Sequence, residues 1–238
     1  RGGVTPGYGN GHLNAAGTGV LTFLLLAKEC GAEVPDHALL GALTHFYRYA
    51  GRGNNPYGDN RTEIGFVDNG KNGKLAFAMA AAASLMPDGE KSVYAMARDT
   101  CAMQSFYTTS FMLHGHTGGG IGEIWRSAAM GLLHDKKPAQ YREFMDERRW
   151  HYDLSRRFDG SFGILGGAGY DKEQWGVAYP LAYTIPRKTL RIAGAPPSRF
   201  SKRYKLPKLP WGVQADNTFL SLEAVPDVSG RKQDLSGE

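Results

Sequence analysis

Cysteine is nearly absent: Cys30 and Cys101 are the only two among 238 residues. Two thiols in a chain of this size make no disulfide scaffold. Each falls in an apolar stretch, which predicts two buried thiols. Long apolar runs are also missing. The run from Val20 to Ala27 is too short to cross a bilayer, so no membrane span is expected. Fixed-spacing catalytic signatures are missing too. G-x-S-x-G does not occur, which excludes a nucleophilic serine elbow. HExxH does not occur, and His114-Gly115-His116 has no second Cys or His cluster to support it, so neither a metal nor a cofactor is expected. Gly65 to Lys71 reads G-x-x-x-x-G-K. It fails as a phosphate loop, because Asn72 replaces the magnesium-holding Ser/Thr and Asp68 would repel phosphate.

Excess charge of one sign is slight. The net charge is +5, and much of it lies in SRFSKRYKLPKLPW, Ser198 to Trp211. There is no dense basic stripe along a helix and no recognisable nucleic-acid module, so no nucleic-acid partner is expected. The basic segment reads as a solvated linker, or as attraction to an anionic polymer such as an acidic glycan. Arg1 opens the chain with neither an initiator Met nor a signal peptide. That points to a processed piece of a longer, multidomain protein, with the compartment left open between secreted and cell-envelope settings.

Present in abundance are glycine, at 32 residues, and small apolar residues. With 42% hydrophobic and 21% charged residues the chain can build a core and is not a disordered polymer. Four stretches share one design, a Gly-rich polar loop running into an apolar, small-residue helix. They are GYGNGHLNAAGTGVLTFLLLAKECG from Gly7, DNGKNGKLAFAMAAAASLM from Asp68, GGGIGEIWRSAAMGLL from Gly118, and GGAGYDKEQWGVAYPLAYTI from Gly166. They recur roughly every fifty to sixty residues, the mark of a stacked or ring-like array of helix pairs.

Helices are predicted over His12–Glu29, Pro35–Ala50, Gly73–Leu85, Glu90–Leu113, Gly122–Leu133 and Ala139–Leu154, with a seventh from near Lys172. The first is apolar on nearly all sides, which predicts burial all round. The sixth, AQYREFMDERRWHYDL, is amphipathic and charged, as suits an outer position. Pro180 and Pro186 should kink or split the seventh. Asp159-Gly160-Ser161-Phe162-Gly163 is a turn. Residues 1–194 thus read as one helical domain. Residues 195–238 read as a basic, Pro-rich, extended segment packing on it or trailing from it.

The loop–helix units and the Asp159–Gly163 turn resemble the α/α-toroid class: six-hairpin glycosidases, polysaccharide lyases with helical toroids, and the terpenoid-cyclase and prenyltransferase group. The resemblance covers about Gly7 to Gly194. It implies an all-α fold, an α/α toroid of inner and outer helices. About four hairpins are visible where a full toroid has six, so the ring is partial or completed elsewhere. DxDD and an Asp, Cys and His zinc set are absent, which ranks isoprenoid chemistry last.

Aligning the units matches Trp125 with Trp175 and sets Glu123 opposite Glu173, with Lys74 and His12 at the same offset. Two carboxylates across a cleft are what acid–base glycoside hydrolysis needs, one protonated for the leaving group and one ionised. A Glu in a first helical turn also simply complements the helix dipole. Asp59 and Asp68 in the polar loop, and His114 at a helix end, are further candidates. Ordinary turn chemistry accounts for them equally. Tyr8, Asn10, His12 and Asn14, with Arg48, match the Asn/His/Tyr set of a polysaccharide lyase, or else serve as caps and loop bonds. Tyr8, Tyr57, Trp125, Tyr170 and Trp175 are candidate sugar platforms, unless they are core. The expectation is a glycan hydrolase or lyase. The alternatives are a non-catalytic binding or scaffold domain, then an isoprenoid-type toroid.

Overall fold

In a computed structural model of the protein, the residues described are 13–50, 55–56, 70–108, 121–163, 165, 178–201 and 206. They form an all-α structure. The helices are α1 (Leu13–Glu29), α2 (Asp36–Tyr47), α3 (Lys71–Ser84), α4 (Val93–Tyr107), α5 (Ile121–Leu132), α6 (Pro138–Ser155) and α7 (Ala178–Thr184). Among the described residues there is no strand, only an isolated antiparallel bridge between Arg156 and Phe162. No helix among them is long and apolar enough to cross a membrane.

Helix α3 is the centre. Its sequence KNGKLAFAMAAAAS buries all but two of its residues, and it packs on α1, α4 and α5. Alanine makes this possible, since a methyl group keeps helix propensity high while letting neighbouring backbones close in. At Gly73 the approach is closest. A Cβ there would collide with the backbone carbonyl of Trp125 on α5.

The odd-numbered helices form a row: α1 touches α3, α3 touches α5, and α5 touches α7. Helices α3 and α5 run the same way. Their starts meet at Gly73 and Trp125, and their ends, through Ala80, Ala83, Ser84 and Leu132, line one cavity. The end of α1 joins them there. Arg191 donates to the Glu29 carboxylate (2.7 Å) and to the Ser84 carbonyl (3.2 Å). The end of α7 arrives at the same side, where Gly131 of α5 faces Ile185 with no room for a Cβ. Each even-numbered helix contacts members of this row: α2 packs on α1, α4 on α3 and α5, and α6 on α5. Gly17 of α1 lets the Phe46 ring of α2 close in, with an ideal Cβ only 2.5 Å from its Cζ.

Punctuation follows the local chemistry. Helix α1 stops at Gly31 (φ 83°), where Ala32 N–H bonds back to the Ala27 carbonyl (2.9 Å). The single helix expected over Glu90–Leu113 is divided. A 3-10 turn, Gly89–Lys91, comes first. Ser92 then caps α4, its Oγ accepting from Ala95 N–H at 3.2 Å. The Asp159–Gly163 turn forms as read. Asp159 accepts from the Ser161 backbone N–H (2.9 Å) and hydroxyl (2.7 Å), and Gly160 supplies the positive φ. Pro180 is accommodated within α7, whereas Pro186 falls in the 3-10 turn Ile185–Arg187 that ends it.

Two expectations are corrected. Cys101 is buried, but Cys30 is exposed, because α1 ends one residue before it. Burial of α1 on all sides also fails: Phe23 stays 66% exposed.

Candidate functional site

The first turn of α5 presents two different faces. On one side Trp125 lies over the start of α3. Its ring meets Phe77 edge-on at 5.6 Å, and the Lys74 ammonium sits 5.6 Å from its centroid, within cation–π range. Burial pushes the Lys74 amine below its ordinary pKa, because the charged form loses hydration there. The α3 start itself is enclosed. Gly70, its N-cap, adopts the left-handed conformation at φ 88°. Lys71 is 3% exposed and Asn72 is fully buried. Asn55 lies against this turn, its backbone N–H donating to Asn72 Oδ1 at 3.0 Å. The Asn55 side chain is also fully buried, and among the described residues neither its Oδ1 nor its Nδ2 has a hydrogen-bond partner.

On the other side Glu123 points at α6 and is wholly buried. Its Oε1 accepts from the Ser127 hydroxyl (2.6 Å) and the Tyr152 hydroxyl (3.2 Å), and pairs with Arg148 Nε at 2.8 Å. Arg126 Nη1 stands 3.9 Å from its Oε2. Arg126 also donates to the Ser105 carbonyl (2.8 Å) and to the Thr108 carbonyl. It thereby covers the C-terminal end of α4, where the helix dipole favours a cation. The Arg148 guanidinium lies 3.4 Å from the Phe144 ring centroid. Next along α6, His151 bonds the Tyr179 hydroxyl of α7 at 3.1 Å. Burial lowers the His151 pKa, which keeps the ring neutral. Burial first, and then the Glu123 charge, hold the Tyr152 phenol well above its ordinary value. This network welds α5, α6 and α7 together.

Glu123 and Trp125, read together from the sequence as acid and sugar platform, therefore project to different sides of α5. Trp125 belongs with α3, and Glu123 is enclosed against α6. Tyr8, Asn10, His12, Tyr57, Asp59, Asp68, His114, Tyr170, Glu173 and Trp175 lie outside the described residues. Of the lyase-like set, Asn14 is fully buried at the start of α1 and bonds His45 Nε2 (3.0 Å), while Arg48 is exposed at the end of α2. Among the described residues, no three His, Cys, Asp or Glu side chains come together as metal ligands.

The matched span decides the family. The chain belongs to the family described as a domain of unknown function, DUF6288, which matches residues 1–194. Neither a curated protein nor a solved structure matches the chain. The DUF6288 span closes at Gly194, the left-handed residue (φ 102°) that ends the 3-10 turn Arg191–Ala193.

That turn lines a cavity of about 350 Å³ at the opposite end of the row, where α3 and α5 finish. Its charged groups are all paired. Arg98 forks onto Glu90 (2.7 and 2.8 Å), Lys136 reaches Glu90 (2.9 Å) and Asp99 (2.5 Å), Lys188 pairs with Asp135, and Arg191 with Glu29. The Arg98 hydrogen bonds pull the Glu90 pKa down to about 2.

Four residues escaped the sequence reading: Asn55, Arg148, His151 and Tyr152. For the last three a signal existed. Arg148, His151, Tyr152 and Ser155 recur at i, i+3, i+4 and i+7, a helical stripe that marks the inward face of a charged helix. Asn55 carries no such signal, since one Asn in a Gly- and Asn-rich loop reads as turn chemistry.

Proposed function

We propose that this domain is a toroid of helical hairpins, partial or complete, that processes a glycan as a hydrolase or lyase. Its substrate lies across the end where α1, α3 and α5 begin. The observation that supports this most is the enclosed polar turn at the start of α3, with Asn72, Lys71, Lys74 and the uncapped carboxamide of Asn55, set beside the half-buried Trp125. Amide groups that donate and accept, next to an aromatic face, suit a sugar ring, which shows hydroxyls at its rim and C–H groups on its faces. The common direction of α3 and α5 supports the toroid, because inner helices of such a ring start at one mouth.

In this reading Trp125 is the sugar platform. Glu173 is the general acid or base, with Asp59 and Asp68 as its candidate carboxylate partners. Glu123 holds α5 on α6 and does no chemistry. A panel of oligosaccharides assayed for turnover tests the assignment. Glu173→Gln should lower kcat by at least about a hundredfold, the usual contribution of a general acid or base. Glu123→Gln, assayed well below its unfolding temperature, should keep most of its activity. The reverse pattern would return the catalytic role to Glu123. Binding without turnover in the wild type would leave a carbohydrate-binding domain.

A further inference from the structure

We infer that the outer face of α6 is a self-association surface, on which a second copy of this chain docks its own α6 in antiparallel. The inference is independent of the glycan reading. Helix α6 buries one stripe, from Phe144 to Ser155. The face turned away from that stripe is exposed. It carries Trp150, 46% exposed, and Leu154, 67% exposed. At i and i+4 these two stand side by side on the helix. Phe158, four residues further on, is fully exposed. Single apolar residues on a surface are ordinary, but neighbouring ones form a patch that marks a contact. These three offer roughly 400 Å² of exposed side chain per copy, taking about 150–250 Å² for a whole aromatic side chain.

The charges around the patch select its partner. Glu143, Asp146 and Glu147 stand before Trp150, and Arg156 and Arg157 follow Leu154, all of them exposed. Glu147 meets Arg148 only at 3.4 Å and keeps 65% of its side chain exposed. A two-fold axis sets a surface against itself, so residue i meets j and j meets i. With Trp150 of each copy resting on Leu154 of the other, the helices cross antiparallel at the level of Tyr152. Glu147, five residues before that level, then faces Arg157, five residues after it. Acidic turn meets arginine pair twice over. Parallel docking would set acid against acid. A purely basic partner would meet Arg156 and Arg157, and a purely acidic one Glu143, Asp146 and Glu147. With the flanking charges included, two such faces reach only the low end of specific interfaces, about 1,200 Å² in total, so the dimer is weak and reversible.

Sedimentation of the 238-residue chain tests this. Between about 5 and 500 μM the wild type should shift reversibly from monomer to dimer, as a small interface requires. Trp150→Ser, an exposed change that spares the fold, should weaken the dimer at least tenfold. Two charge variants test the orientation. Asp146→Lys with Glu147→Lys makes the face net basic, and Arg156→Glu with Arg157→Glu makes it net acidic. Each alone should stay monomeric. Their equimolar mixture should dimerise at least as tightly as the wild type. Wild-type association in either charge variant alone overturns the inference, as does a mixture of two folded variants that stays monomeric. Where a charge variant fails to fold, Trp150→Ser decides, and unchanged association there overturns the inference. A wild type that stays monomeric throughout also overturns it, and leaves the face to the chain's own basic C-terminal segment or to a different protein.

Discussion

The two ends of the odd-numbered helix row are built on opposite principles. Where α3 and α5 finish, Arg98, Lys136, Lys188 and Arg191 each face a carboxylate, and Arg191 takes carbonyls as well. Where α3 begins, a carboxamide is enclosed with both of its atoms unanswered. A closed charge inventory fastens segments together. An open one leaves free energy to be gained when something arrives. The electrostatics of the cavity at the finishing end are already settled by its own walls.

Three substitutions bear on that contrast. The largest effect is expected behind α5. Glu123→Gln should cost roughly 3–5 kcal/mol in denaturant unfolding, because Arg148 and Arg126 would stay buried beside a neutral amide. A loss under about 0.5 kcal/mol would mean that this network is not structural, and the contrast would extend to both faces of α5. Next comes the finishing end. Arg191→Met removes the links to Glu29, Ser84 and Ala195. It should cost about 1.5–3 kcal/mol, the range for hydrogen bonds to charged groups. A neutral result would show that the paired charges only decorate the cavity.

The smallest effect is a pH dependence. His151 has a folded pKa below the ordinary value of 6.5, so the unfolded chain takes up the proton first as pH falls. Its contribution is complete above about 6.5 and is lost as pH drops through the folded value. Urea midpoints measured across that window should slope downward towards acid, and His151→Gln should flatten the slope. An unchanged slope would assign it to other groups.

Much of the helical order was legible in advance because it rests on local signals. Glycine after α1 and Asp-Gly-Ser after α6 each act within their own turn, so a one-dimensional reading finds them, whereas Ser92, which caps α4, was read as the interior of one helix from Glu90 to Leu113. The polar site was legible only in part. Trp125 and Glu123 are two residues apart, and the alignment of repeats treated them as one unit. Two residues along a helix is more than half a turn, which sends the side chains to different neighbours. Which neighbour each meets depends on α3 and α6, and that is tertiary information. The exposed Phe23 teaches the same point: an apolar helix asks for cover on every side, but its sequence does not say which sides receive it. Asn55 was invisible for a plainer reason. An unanswered hydrogen-bonding group is defined by what surrounds it, and no residue type announces that.

Arg191 ties residues 162 positions apart, reaching Glu29 at the end of the first helix. Contacts of that span make folding depend on loop closure and slow it. The first helix therefore waits for a late part of the chain before its end is secured. During synthesis its apolar surface is without that clasp until most of the domain has left the ribosome.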